Sequence, residues 1–384
     1  MRRLPLLAAA LLAANCSLAN RSPEEMQDRP VRERDVITAI EDGVKFLVRS
    51  QNANGSWGGP ANSTGYDLWS PPPGSHDAFR AATTALCVMA LMEAKGPREP
   101  IQKGLEWLVT SDPPLRPEPA VIYNVWGHTY AFQALAAAYE AETDELGRAR
   151  IRAAAERHLD LMKRYETAYG GWNYYDFNIG SRSPGSWPTS FGTAAALVAF
   201  FDAQRAGLDV PEDLVRRSIA AVAGCRKPDG SYLYDLGWRL MPNHPANQAK
   251  GGLGRMQSGN LALFVWSAPG VGKPEMKSGF DLMAAEHRFL EVGRKRQYPH
   301  EAFYFNSGYY YYFGHYYAAR LVELLDPEDR KERRGRLASF VLPHQEEDGS
   351  WWDYSMFSYH KPYGTALALM TLLRCLDAPY RPKP

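Results

Sequence analysis

The feature that most constrains the fold is a short motif that recurs along the chain. The segment Gln51–Trp57 (QNANGSW) is similar to the segment Gln345–Trp351 (QEEDGSW), and two partial copies end at Trp172 and Tyr232. The turn glycines of the four copies are 115, 60 and 119 residues apart, at Gly55, Gly170, Gly230 and Gly349. This spacing indicates a repeat unit of about 60 residues, with two units that have lost the motif.

Each repeat unit holds two helical patterns that differ in polarity. The first pattern is amphipathic and the second is almost wholly apolar, which is typical of an outer helix packed on an inner one. The predicted pairs are 36–50 with 77–95, 98–110 with 128–142, 148–164 with 188–206, 212–224 with 256–267, 279–293 with 309–325, and 329–342 with 361–376. Six pairs close a ring, so the sequence predicts an all-α fold, an α6/α6 toroid with twelve main helices in two concentric rings.

The motif itself has the composition of a turn followed by a buried aromatic residue. Glycine in the left-handed conformation ends the outer helix, and the aromatic ring two positions later lies over neighbouring helix ends. This Q-x-x-x-G-x-W pattern resembles the QW motif of squalene-hopene and oxidosqualene cyclases, and the segment from Asp348 to Ala366 is similar to their C-terminal repeat. The resemblance implies the toroid that these cyclases share with protein prenyltransferases, here as a single ring.

The resemblance does not extend to the catalytic residues of either family. Squalene-type cyclases use a D-x-D-D acid, and this chain contains no such sequence. Protein prenyltransferases hold zinc through an Asp-x-Cys pair, whereas Ser231 stands at the cysteine position after Asp229. We therefore expect no metal, no cofactor and neither of the two signature reactions.

The N-terminus predicts export. Arg2 and Arg3 precede an apolar run, and Ser17-Leu18-Ala19 then offers a small-x-small cleavage site, as in a secretory signal peptide. Cys16 offers an alternative, because it follows a sequence that resembles a lipobox and would then tether the protein to a membrane. We expect a signal peptide over 1–19, a linker over 20–35, one toroid domain over 36–378 and a tail over 379–384, with the protein in the periplasm or outside the cell.

The charge distribution excludes nucleic acid as a partner. The chain has 44 Lys and Arg residues against 43 Asp and Glu residues, a formal net charge of +1, and the two signs are mixed along its length. A nucleic-acid-binding protein carries a concentrated basic surface instead. The expected partner is a small lipid-like or sugar-like molecule, and the sequence leaves the oligomeric state open.

The candidate site follows from the topology of a ring of hairpins. All inner helices run in the same direction, so their N-termini meet at one end, where unpaired N–H groups favour a polar or anionic ligand head. The candidate catalytic residues at this end are Asp77, His128, His360 and Asp353. The candidate ligand-binding residues are His76, Tyr130, Arg255, Tyr309, His315 and Lys361.

Two classes of function are compatible with these features. The family resemblance favours a protein that binds an apolar, isoprenoid-like ligand with a polar head, either as an enzyme or as a non-catalytic binding or scaffold protein. The alternative is a carbohydrate lyase or hydrolase, which needs carboxylates at one rim. Asp176, Asp235 and Asp353 follow the repeated motif and are the candidates for that rim.

Overall fold

The computed structural model describes residues 31–64, 73–115, 123–173 and 187–382. Asp176 and the signal segment lie outside the described residues. The described residues form α-helices and short 3-10 turns, and their few β contacts are isolated bridges. The helices α1 to α13, in chain order, are Glu33–Arg49, Pro73–Glu93, Arg98–Thr110, Asn124–Ala141, Glu145–Arg164, Ser190–Ala206, Glu212–Cys225, Leu253–Val265, Lys273–Ala285, Arg288–Glu291, Tyr310–Glu323, Pro327–Val341 and His360–Leu373.

The described helices form two concentric rings. The inner ring consists of α2, α4, α6, α8, α11 and α13; each packs on the next, and α13 packs back on α2 to close the circle. The outer ring consists of α1, α3, α5, α7, α9 and α12, each packed on an inner helix. Inner helices are buried on all sides, as in α8, where every residue from Leu253 to Leu263 is buried. The predicted α6/α6 toroid is confirmed.

The fifth outer helix differs most from its predicted range, while the others agree with theirs to within three residues at each end. The pattern predicted a fifth outer helix over 279–293, whereas α9 runs from Lys273 to Ala285 and the four-residue α10 follows it. The early start has a local cause: the Glu275 carboxylate accepts a hydrogen bond from the Gly272 backbone N–H at 2.8 Å and caps the helix. The break before α10 places the buried His287 against the inner helix α11.

The three tryptophans of the repeated motif make the same two hydrogen bonds. Each indole N–H donates to a carbonyl ten residues earlier, at the end of the preceding outer helix: Trp57 to Leu47 at 2.8 Å, Trp172 to Met162 at 2.8 Å and Trp351 to Val341 at 3.0 Å. Each backbone N–H donates to a threonine hydroxyl on the inner helix: to Thr84 at 3.1 Å, Thr193 at 3.1 Å and Thr365 at 3.0 Å. The motif therefore fixes each outer helix to its inner partner. Tyr232 takes the fourth place and donates to Asn260 at 3.0 Å.

The glutamines of the motif join neighbouring outer helices. The Gln51 side chain donates to the Pro100 carbonyl in α3 at 2.9 Å, and the Gln345 side chain donates to the Ala39 carbonyl in α1 at 3.0 Å. The second bond joins residues 306 positions apart and closes the outer ring. No helix in the described ranges is both long enough and apolar enough to cross a membrane.

A substitution at the turn glycine of the last motif tests this arrangement. Gly349 has a φ of +83°, and a Cβ there would lie 2.6 Å from the Asp42 carbonyl oxygen of α1. We expect Gly349→Ala to lower the free energy of unfolding by about 2 kcal/mol or more, because alanine meets both backbone strain and a clash with fixed backbone. Urea unfolding followed by circular dichroism measures the change.

Gly335 provides the matched control, because a Cβ added there in α12 has no atom within 4 Å. Gly335→Ala is expected to raise stability by up to about 1 kcal/mol through helix propensity alone. Equal effects of the two substitutions would contradict the structural role assigned to the motif.

Candidate functional site

A cavity of about 130 Å³ lies at the end of the toroid where the inner helices begin. Five inner helices, α2, α4, α6, α11 and α13, contribute residues from their first two or three turns. The described lining residues are Phe79, Tyr123, Val125, Trp126, Thr129, Tyr130, Trp172, Asn173, Thr189, Phe191, Gly192, Ala195, Tyr309, Tyr310, Phe313, Tyr354, Met356, Tyr363 and Leu367. Binding at this end was the topological expectation, and the cavity is there.

The described lining is aromatic and carries no Asp, Glu, His, Lys or Arg side chain. Its rings meet edge to face: Phe191 lies 5.3 Å from Tyr310, and Trp126 lies 5.8 Å from Tyr130 and 6.0 Å from Tyr363, centroid to centroid. Such contacts hold the rings in fixed positions. The polar groups at the wall are tyrosine and threonine hydroxyls and the Asn173 amide.

Two of the ten candidate residues, Tyr130 and Tyr309, line the cavity. The Tyr130 hydroxyl lies 3.4 Å from the Tyr317 hydroxyl, and burial raises the pKa of Tyr130. The Tyr309 hydroxyl lies 3.1 Å from Nε2 of His300. The structure places the other eight candidates elsewhere, for reasons that differ from residue to residue.

His128 and His315 face the outer ring instead of the cavity. Nδ1 of His128 lies 3.0 Å from Nδ1 of His158 in α5, and Nε2 of His315 lies 3.0 Å from Nε2 of His287. All four rings are buried. Burial lowers the pKa of His158 to about 3 and that of His315 to about 4, and it also lowers the pKa values of His128 and His287. Each pair is therefore neutral at pH 7.

A three-residue pattern on the inner helices explains this orientation. An aromatic residue, a glycine and a threonine or histidine follow one another at Trp126-Gly127-His128, Phe191-Gly192-Thr193, Phe313-Gly314-His315 and Tyr363-Gly364-Thr365. The aromatic residue lines the cavity in all four copies. The third residue points outward, where threonine binds the motif tryptophan and histidine pairs with a second histidine. The histidines occur in the two repeats that lack the motif.

Asp77 and His76 lie at the correct end of α2 but outside the cavity lining. Asp77 is exposed and faces a depression between α2 and α3, which it lines together with Arg80, Trp107 and Asp112. His76 stacks on Tyr359, with ring centroids 5.9 Å apart, and its pKa is lowered by burial and by Arg80.

His360 and Lys361 begin α13 and are held in local contacts. Nδ1 of His360 bonds to the Phe357 carbonyl oxygen, and the ring meets Trp352 edge to face at 5.0 Å. The Lys361 ammonium lies 2.6 Å from the Asp348 carboxylate in the last motif. Neither side chain lines the cavity.

Asp353 is buried one hydrogen bond behind the cavity wall. Its carboxylate accepts a bond from the Tyr363 hydroxyl at 2.5 Å and from the Tyr312 backbone N–H at 3.0 Å. Burial outweighs these bonds and raises the pKa of Asp353 to about 6. The Tyr363 ring lines the cavity, so Asp353 reaches that space through Tyr363 alone.

Arg255 is also buried behind the wall, at the start of α8. Its guanidinium carbon lies 5.3 Å from the ring centroids of both Tyr234 and Tyr310, and Nη2 donates to the Ala246 carbonyl oxygen. Arg255 does not itself line the cavity, whereas the adjacent Tyr310 does. Asp235, an acid proposed for a carbohydrate rim, accepts a bond from the Gly237 backbone N–H at 2.8 Å, and burial raises its pKa to about 6.

The most important lining residues that the sequence interpretation missed are Trp126, Phe191, Phe313 and Tyr363. The aromatic-Gly-Thr/His pattern was the available signal, since it marks the inward position in each copy. No group of three or more His, Cys, Asp or Glu side chains in the described ranges is close enough to hold a metal ion.

An all-helical double ring with an aromatic cavity at the start of its inner helices is an α/α toroid. No protein-family profile and no curated protein sequence matches the chain. Solved structures do match: type II terpene cyclase MstE from Scytonema is 14% identical with a TM-score of 0.52, over 89% of this chain and 98% of that one.

Carbohydrate-related toroids match as well. Cellobiose 2-epimerase from Spirochaeta thermophila is 14% identical with a TM-score of 0.55, over 89% of this chain and 97% of that one. A possible GH105 family member from Klebsiella pneumoniae is 12% identical with a TM-score of 0.52, over 97% and 98% of the two chains. These similarities show a common fold, a single α/α toroid.

The buried histidine pairs predict the acid sensitivity of the fold. Unfolded histidine binds a proton below about pH 6.5, whereas folded His315 stays neutral down to about pH 4. Its contribution to stability is therefore present above pH 6.5 and is lost as the pH falls towards 4. We expect His315→Gln to make the decline in unfolding free energy over this interval shallower by about 1.4 kcal/mol per pH unit.

Urea unfolding at a series of pH values measures this slope. Tyr311→Phe is the control, because Tyr311 lies beside His315 and donates to the Phe340 carbonyl at 2.9 Å without titrating in this interval. It is expected to lower stability equally at each pH. An unchanged slope in His315→Gln would show that the pair does not stay neutral.

Proposed function

We propose that the cavity binds an apolar ligand of isoprenoid type, inserted from the end where the inner helices begin. The observation that carries this proposal is the aromatic lining without a charged side chain among the described residues. Burial of apolar ligand surface contributes roughly 25 cal/mol per Å². Fixed aromatic rings give the cavity a defined shape before the ligand arrives.

The size of the cavity limits the part of the ligand that enters. A cavity of about 150 Å³ in another protein admits a benzene-sized molecule, and this one measures about 130 Å³. We therefore propose that the cavity holds about six carbons of the ligand, at the end of a longer chain that extends through the mouth. The similarity in fold to a type II terpene cyclase is consistent with such a ligand.

A carbohydrate function is less well supported by the site. Glycoside hydrolases act through carboxylates beside the substrate, whereas the described lining holds none. Asp353 and Asp235 accept hydrogen bonds from other groups behind or beside the cavity wall.

We also propose that the protein is exported, on the basis of its N-terminal leader.

The ligand class is tested by filling the cavity. Ala195 in α6 lines it and is 4% exposed. We expect Ala195→Phe to weaken binding of geraniol, a ten-carbon isoprenoid alcohol, by at least about 10-fold, because the added ring occupies the volume that the ligand needs. Isothermal titration calorimetry on delipidated protein measures the affinity.

Gln204→Phe is the control, because Gln204 is exposed on the same helix away from the cavity. It adds an aromatic ring and is expected to leave geraniol binding unchanged. Titration with cellobiose tests the carbohydrate alternative. Binding of cellobiose but not of geraniol would show that the proposed ligand class is wrong.

A further inference from the structure

Arg255 is a buried cation that has no counter-ion among the described residues. It lies in the first turn of α8 and is 1% exposed. Nη2 donates to the Ala246 carbonyl oxygen, while Nε and Nη1 have no hydrogen-bond partner among the described residues. A buried charge without a partner carries a large desolvation cost. This position is therefore unfavourable unless an anion joins it.

The neighbours of Arg255 do not supply that anion. Tyr234 and Tyr310 place their rings 5.3 Å from the guanidinium and contribute only the electrostatic attraction of their faces. The Asp235 carboxylate accepts a bond from Gly237, and no described ion pair joins it to Arg255. Lys250, a second cation near this loop, is paired with Glu286 at 3.1 Å. A single unpaired positive charge therefore remains.

Tyr310 connects this charge to the cavity. Its ring lines the cavity, and its hydroxyl is buried without a hydrogen-bond partner in the described part of the chain. Burial raises the pKa of Tyr310, and Arg255 acts in the opposite direction. The hydroxyl therefore stays protonated at pH 7 and is a second unused donor beside the guanidinium.

His300 makes this corner a site for an anion rather than for a cation. Nδ1 lies 2.8 Å from the Phe305 carbonyl oxygen, so it carries the proton and donates. Nε2 then accepts from the Tyr309 hydroxyl at 3.1 Å. Burial and Arg255 lower the pKa of His300, which keeps the ring neutral. The corner thus holds unused donors and one positive charge.

We propose that Arg255 and the Tyr310 hydroxyl bind the carboxylate head of the ligand, so that the ligand is an isoprenoid acid or a related apolar carboxylic acid. This inference rests on the apolar-ligand function proposed above. One positive charge matches a monoanion, whereas a diphosphate would bring charges that remain unpaired. The aromatic cavity then holds the apolar body and the Arg255 corner holds the head.

The experiment compares ligands that differ only in the head. Geranic acid, geraniol and geranyl diphosphate are titrated into the delipidated full chain by calorimetry. We expect the acid to bind more tightly than the alcohol and the diphosphate. We expect Arg255→Met to lower the ratio of acid to alcohol affinity by about 10- to 100-fold, because hydrogen bonds to charged groups are the strong ones.

Lys361→Met is the matched control, because it removes the same charge at the start of another inner helix, where Lys361 is paired with Asp348. It is expected to leave the ratio unchanged. A methionine at 255 also removes the unpaired charge, so the ligand-free variant is expected to melt at the wild-type temperature or above. If Arg255→Met does not fold, Tyr310→Phe replaces it and is expected to lower the ratio by about 3- to 10-fold.

The outcomes separate the two proposals. If neither geraniol nor geranic acid binds to the wild-type protein, the apolar-ligand function is wrong. If geraniol binds but the acid-to-alcohol ratio is the same in wild type, Arg255→Met and Tyr310→Phe, only the carboxylate site is wrong. Tighter binding of geranyl diphosphate than of geranic acid would likewise overturn the monoanion assignment.

Discussion

The hydrogen bonds of the motif tryptophans are the interaction on which the rest of the toroid depends. One indole N–H to the outer helix and one backbone N–H to an inner-helix threonine fix both helices of a hairpin to a single buried side chain. The same pair of bonds recurs at Trp172 and Trp351. In two of these hairpins the inner-helix threonine directly follows an aromatic residue and a glycine. Because the bond to tryptophan holds the threonine on the outward side of the helix, it also holds the aromatic residue on the side that faces the cavity.

The equivalent positions on the inner helices also account for the two histidine pairs. In the two repeats that lack the whole motif, no tryptophan is present to bind a threonine, and a histidine occupies the threonine position with a second histidine opposite. The polar side chain at the outward position thus keeps a hydrogen-bond partner, while the aromatic residue two positions earlier still lines the cavity. His128 and His315, which the sequence analysis assigned to catalysis and to ligand binding respectively, instead replace a structural contact in this fold.

Much of the fold could be predicted from the sequence, because the turn glycines mark the repeat period and the difference in polarity separates outer from inner helices. The third helix begins and ends where its pattern predicts, at Arg98 and Thr110. The site was predicted less well. A topological argument identifies the end of the ring where inner helices begin, but it does not say which side of each helix faces inward. His128 and Trp126 are two residues apart, and because an α-helix has about 3.6 residues per turn their side chains point to nearly opposite sides of it.

The closed ring has a consequence for how the protein unfolds. Open helical arrays have terminal repeats that fray, and their stability is lost from the ends inward. In this chain α13 packs on both α1 and α2, and the Gln345 bond to Ala39 makes the first and last repeats neighbours. Every hairpin therefore has two flanking hairpins, and none is an end. Loss of one hairpin exposes inner-helix surface on both sides of the gap, so we expect the toroid to unfold as a single cooperative unit.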